Sequence, residues 1–127
     1  MAGNPAPGFR DRPEKQINTA PFKGSVVVKV GDAVIARSRD AVRLEEAPYP
    51  AAFYIPFADI DFNRLEPTAT TSYCPFKGEA SYWGTSSEAG AVPDVMWAYR
   101  TPYDEMAVIR DHGAFYPNKA TIEATPN

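Results

Sequence analysis

Between Ser25 and Ser38 the chain reads SVVVKVGDAVIARS, with Val26, Val28 and Val30 on one face of an extended segment and Gly31-Asp32 interrupting it. Period-two β-branched residues around a two-residue Gly-Asp break predict a tight β-hairpin. Weaker alternation over 41–46 (AVRLEE) predicts a third strand burying Val42 and Leu44, and Pro48 and Pro50 then force an extended crossing. Residues 52–55 (AFYI) form a short strand stopped by Pro56, and FADIDFNRLEP follows as a loop with one helical turn. Residues 68–74 and 79–85 predict a second strand pair around the turn CPFKG. Thr71 and Tyr73 oppose Ser72 and Cys74 on its first strand; Ala80 and Tyr82 oppose Glu79, Ser81 and Trp83 on its second. Ser86 to Pro93 reads as a flexible loop. Val95, Trp97 and Tyr99 then share one face of a further strand, with Met96, Ala98 and Arg100 on the reverse.

A helix is expected from Thr101-Pro102 to about Asp111. A threonine cap, proline at the first position and acids in the first turn favour its start, Met106 and Ile109 share one side, and Gly113 ends it. Short strands at 114–116 and 120–124 close the chain. Residues 1–21 carry proline, glycine, asparagine and charge without apolar period and read as a flexible tail, leaving one β-rich domain over 22–127. The fold class expected is mainly β: short antiparallel strands with one short helix near the carboxyl end.

The 127 residues suffice for one core without a disulfide or metal. Thirteen prolines disfavour long helices, and 13% aromatic residues point to a core or pocket lined with rings. A net charge of -3 without any basic run argues against nucleic acid as a partner. No apolar run is long enough to span a membrane and MAGNPAPGFRDRPEK has no signal-peptide core, so a cytoplasmic protein is expected. One cysteine and one histidine cannot make a four-ligand zinc site unaided, so neither a structural metal nor another cofactor is expected.

The densest chemistry lies in TSYCPFKGEASYW, residues 71–83. Cys74 suits a nucleophile with Lys77 nearby to stabilise a thiolate, or a small buried hydrophobe at a strand end. Lys77 suits a partner for a carboxylate or phosphate, a Schiff-base amine, or a solvated turn residue. Glu79, with Glu46, makes an acid–base pair if the third strand lies beside the turn, and otherwise two surface carboxylates. Tyr54, Tyr82, Trp97 and Tyr99 bring polar tips on large apolar bodies, which suits a ligand cavity as well as a sheet core. His112, in the last helical turn, reads as a cation favourable to the dipole. Asp59, Asp61 and Glu66 match no calcium-loop spacing and read as a solvated loop.

Taken in order, LEEAPYP, FYIP, TSYCPFKGEASYW, MWAYRTP and GAFYP resemble the family filed as domain of unknown function 427, over about Ser25 to Thr125. The resemblance implies a compact, single-domain β-tent-like architecture and no established reaction. The positions that match the pattern are Glu46, Tyr54, Pro56, Cys74, Lys77, Gly78, Glu79, Tyr82, Trp97, Tyr99, Phe115 and Tyr116. His112 departs from it, so a shared chemistry does not depend on this histidine. More distant relatives bind zinc through paired cysteines, and a lone Cys74 cannot inherit that site. The family label also carries nucleotidyl transfer in its name, but the chain has neither a Gly-Ser turn followed by an Asp-x-Asp pair nor a phosphate-cradling glycine loop.

Two functions follow as expectations. One is a domain binding an unknown small molecule in an aromatic pocket beside the CPFKGEASYW turn, with or without catalysis. The other is a non-catalytic protein-interaction module whose proline-bounded strands leave edges that a homodimer would cover.

Overall fold

The computed structural model describes residues 3–85 and 91–127. Most of the loop expected over 86–93 therefore lies outside the described residues. The expected hairpin is present as β2 (Gly24–Val30) and β3 (Ala33–Ser38), and Gly31 takes the positive φ of 59° that its turn requires. With β10 (Thr121–Pro126) they form a three-stranded sheet in the order β10-β2-β3. The larger sheet holds β1 (Asn18–Pro21), β4 (Val42–Glu45), β5 (Ala52–Pro56), β6 (Leu65–Cys74), β7 (Gly78–Thr85), β8 (Met96–Tyr99) and β9 (His112–Phe115). Its order is β1-β4-β5-β9-β8-β7-β6, and each neighbouring pair is antiparallel.

Alternation along these strands gives the large sheet two apolar faces. Val26, Val28 and Ile35 of the small sheet pack with Ile55, Trp83, Met96, Ala98 and Phe115 in one cluster. Val42, Leu44, Tyr54, Ala80, Tyr99, Met106, Ile109 and Ala114 form a second, with Tyr82, Trp97 and Cys74 packed against it. On β7 and β8 the expected faces hold: Ala80, Tyr82, Trp97 and Tyr99 go one way, Trp83, Met96 and Ala98 the other. Val95 departs, joining the cluster of Met96 because it precedes the strand and escapes its alternation.

Two expectations need correction. The segment before Phe22 is not a free tail. Helix α1 (Pro7–Asp11) starts at proline, and the Gly8 amide donates to the Pro75 carbonyl at 2.9 Å. Phe9 meets Phe76 edge-on at 5.0 Å, the Ala6 amide donates to Glu105 Oε1 at 2.9 Å, and β1 pairs with β4. Backbone pairing and single contacts hold this segment, and neither leaves an apolar period in the sequence. The helix expected at 101–111 is a shorter 3-10 segment, Asp104–Ile109, kinked at Met106 and without a side-chain cap. Met106 and Ile109 are buried as expected, but Asp111 at φ 54° makes the exit. Gly113 and His112 belong to β9 instead. No helix among the described residues is long and apolar enough to cross a membrane.

Candidate functional site

The turn between β6 and β7 fixes Lys77 by its backbone. Its amide donates to the Cys74 carbonyl at 3.2 Å and its own carbonyl accepts from the Tyr103 amide at 3.0 Å. Gly78 follows at φ 120°, a conformation that an L side chain would strain, and returns the chain into β7 in register with Cys74. So held, the Lys77 side chain turns inward and is only 9% exposed, which corrects the solvated-turn reading.

Its partner is Glu46, just past the end of β4. Lys77 Nζ donates to Glu46 Oε1 at 2.6 Å, and Lys15 Nζ approaches the other oxygen, Oε2, at 3.0 Å. Lys15 also lies over the Phe76 ring, 5.4 Å from its centroid. One carboxylate between two ammonium groups leaves a partly buried triad with a net charge of +1. Burial pushes the Glu46 carboxyl up, but the hydrogen bonds and charges of Lys77 and Lys15 together outweigh it and hold the carboxyl below its ordinary range. Glu79 takes no part. It is exposed on the opposite side of β7 from Ala80, so of the two readings for Glu46 and Glu79 the acid–base pair does not form, and Glu79 is the surface carboxylate while Glu46 is not.

Beside the triad lies a cavity of about 710 Å³. Its walls come from β4, β5, β8, β9 and the β6–β7 hairpin: Leu44, Glu46, Phe53, Tyr54, Cys74, Lys77, Tyr82, Trp97, Tyr99, Phe115 and Tyr116 among them. Tyr49, 66% exposed, and Pro50 belong to its rim. Of the sequence candidates, Glu46, Tyr54, Cys74, Lys77, Tyr82, Trp97 and Tyr99 all border this one space, and Glu79 does not. Lys15 was hidden from the sequence reading because it lies in the supposed tail; its only signal was a lysine near the tail's end.

The rings are ordered by their polar tips. Trp97 Nε1 donates to Tyr54 Oη at 3.1 Å, with the two rings perpendicular and 6.2 Å apart. Trp97 also meets Tyr116 at 4.5 Å between centroids. Ser72 Oγ and Tyr82 Oη share a hydrogen bond at 2.8 Å, and Tyr116 Oη reaches Tyr82 Oη at 3.5 Å. Burial pushes the phenols of Tyr54, Tyr99 and Tyr116 well above their ordinary value, so all three stay neutral donors. The Tyr99 hydroxyl makes no hydrogen bond to any described residue; since no sealed-off side-chain polar atom among the described residues lacks a partner, it keeps access to solvent at the cavity.

The remaining candidates lie elsewhere. His112 Nδ1 sits 2.7 Å from the Arg110 carbonyl on β9. Asp59 accepts from Ser38 Oγ at 2.6 Å, Asp61 caps a 3-10 turn through the Asn63 amide, and Glu66 is exposed on β6. Among the described residues no three His, Cys, Asp or Glu side chains are grouped to hold a metal ion.

No curated protein matches the chain. A family model does match, over residues 18–125, and that span takes in every wall of the cavity, Glu46 and Lys77 included, while leaving Lys15 outside it. The chain thus belongs to the family described as NTP_transf_9, Domain of unknown function (DUF427).

Proposed function

We propose that the protein binds a small molecule in the cavity beside the Cys74–Gly78 turn. The observation that carries this reading is the convergence of amphipathic rings and one buried ion pair on a single 710 Å³ space. Ligand sites span about 300–1,000 Å³, are mostly apolar, and keep a few polar groups to orient what they hold. A core that needed only filling would use leucine and isoleucine, whose burial leaves no hydroxyl to satisfy.

The competing reading, an interaction or dimerisation module, rests on β6. That strand ends the large sheet, runs for ten residues and carries Tyr73 at 60% exposure. However, Pro67 and the register break between Pro67 and Thr71 interrupt its free edge, as protected edges do. The cavity therefore has the better support.

Cys74 supplies the test, because it is the sole cysteine and borders the cavity. Compounds from a metabolite panel that raise the melting temperature should also slow labelling of Cys74 by iodoacetamide. A panel in which no stabilising compound protects Cys74 sinks the cavity reading, and dimers by light scattering would favour the other.

A further inference from the structure

From the cavity's charge and its free donors, we infer that the ligand is a monoanion: a flat, largely apolar body carrying a single carboxylate-type head. This inference rests on the small-molecule reading above and adds the chemical class.

Charge comes first. Lys15, Glu46 and Lys77 sum to +1, and Lys77 and Glu46 both border the cavity. A charge left uncompensated in a partly buried place is costly, and one negative charge on a ligand cancels it. Hydrogen bonding points the same way. An ammonium has three N–H donors, and Lys77 gives one to Glu46 Oε1. Among the described residues no other acceptor takes the remaining two, although Lys77 is only 8% exposed. The Tyr99 hydroxyl likewise bonds to no described residue and is kept protonated by its burial, so it too is a donor open to an acceptor on a ligand. A carboxylate, with two oxygens and about four acceptor positions, meets both needs at once.

The head is a single charge rather than a phosphate dianion. A second negative charge would turn the +1 of the triad into a net −1, and among the described residues no arginine borders the cavity to absorb it. The body is flat and apolar because the rest of the wall is mostly apolar and its largest side chains are rings, with Trp97 and Tyr116 inclined at 42° to one another. Offset or edge-on contact with such faces favours aromatic or similarly flat groups.

The test compares three probes of one shape, 2-naphthoate, 2-naphthamide and 2-naphthyl phosphate, by calorimetry, with Cys74 labelling to locate each. Naphthoate should bind at least about tenfold more tightly than the amide and the phosphate ester, and should protect Cys74. Lys15→Gln, which makes the triad neutral, should bring the acid and amide affinities together, and Lys15→Arg should keep them apart. Both variants should be checked for an unchanged circular dichroism spectrum. Equal binding of acid and amide, with Cys74 protected by both, overturns the monoanion inference and leaves the cavity reading standing. Tighter binding of the phosphate ester overturns it in favour of a dianion. Failure of all three probes to bind at millimolar concentration overturns the flat-bodied monoanion and leaves the cavity reading to the metabolite panel.

Discussion

Substituting the members of the Lys15–Glu46–Lys77 triad should give an order of stabilities that no solvated surface pair would show. Removing one partner of a buried ion pair costs about 3–5 kcal/mol when the other is left uncompensated. Glu46→Gln does this to two lysines at once, since both ammonium groups lie within 3.0 Å of the one carboxylate. It should fall in that range. Lys77→Ala is milder, because Glu46 keeps Lys15, and the loss is chiefly one charge-assisted hydrogen bond and a buried stem, about 1.5–3 kcal/mol. Lys77→Met restores the packing and leaves a neutral Lys15–Glu46 pair, so it should lie within about 1 kcal/mol of wild type. Urea unfolding followed by tryptophan fluorescence reads all three, with midpoint shifts compared at constant slope. Lys77→Ala within about 0.5 kcal/mol of wild type, the usual range for surface changes, would refute the buried triad. So would a Glu46→Gln variant more stable than Lys77→Ala. The acid side gives an independent check. The folded carboxyl of Glu46 sits below its ordinary value of 4.5, so its contribution is present above that pH and is lost as pH falls through the lowered value. Glu46→Gln should flatten that part of the acid unfolding curve.

Deleting residues 1–16 should lower stability by about 2–4 kcal/mol in the same urea assay, through loss of the Lys15–Glu46 pair and the Phe9–Phe76 contact; an unchanged midpoint would show the segment to be dispensable. Tyr54 and Tyr99 are held neutral by burial, so the stability this confers persists below their ordinary value of 10.0 and declines as pH rises beyond it, and their tyrosinate absorbance should appear together with unfolding rather than before it. Trp97→Phe should keep the wall of the cavity but remove the donor to Tyr54, at about 1 kcal/mol by thermal melting, and a loss above about 3 kcal/mol would mean that the indole is core rather than wall.

The strands were legible wherever one residue in two is β-branched or aromatic and a glycine or proline marks the end, as at Val26–Val30, Ala52–Pro56 and Trp97–Tyr99. Alternation even separated the face of Tyr82 from that of Trp83. The Lys77–Glu46 contact was not legible, because it spans 31 positions and depends on how β4 lies against the β6–β7 turn. Glu79 looked equivalent to Glu46 in the sequence, yet it stands one residue before the buried Ala80, and alternation along β7 sends it to the opposite, exposed face. The segment at 3–21 escaped because its attachments are mainly backbone hydrogen bonds, such as that from the Gly8 amide to the Pro75 carbonyl, which almost any composition permits. The segment at 101–111 carried sound helix-start residues, but the Tyr103–Lys77 backbone bond and the kink at Met106 hold it to 3-10 turns.

The two apolar faces of the large sheet divide labour between neighbouring residues. Along β7 and β8, Ala80, Tyr82, Trp97 and Tyr99 face the cavity side, while Trp83, Met96 and Ala98 sit in the cluster shared with the small sheet. Heritable change can therefore act on the two independently. On the proposed cavity reading, a substitution at Tyr82 or Trp97 should retune binding at modest cost to folding, whereas one at Trp83 or Met96 should weaken the fold itself. Saturation mutagenesis of these strands, scored in parallel for abundance and for ligand response, should yield two profiles that are out of phase by one residue. Under that reading, a lineage could change the lining of the cavity without passing through an unfolded ancestor.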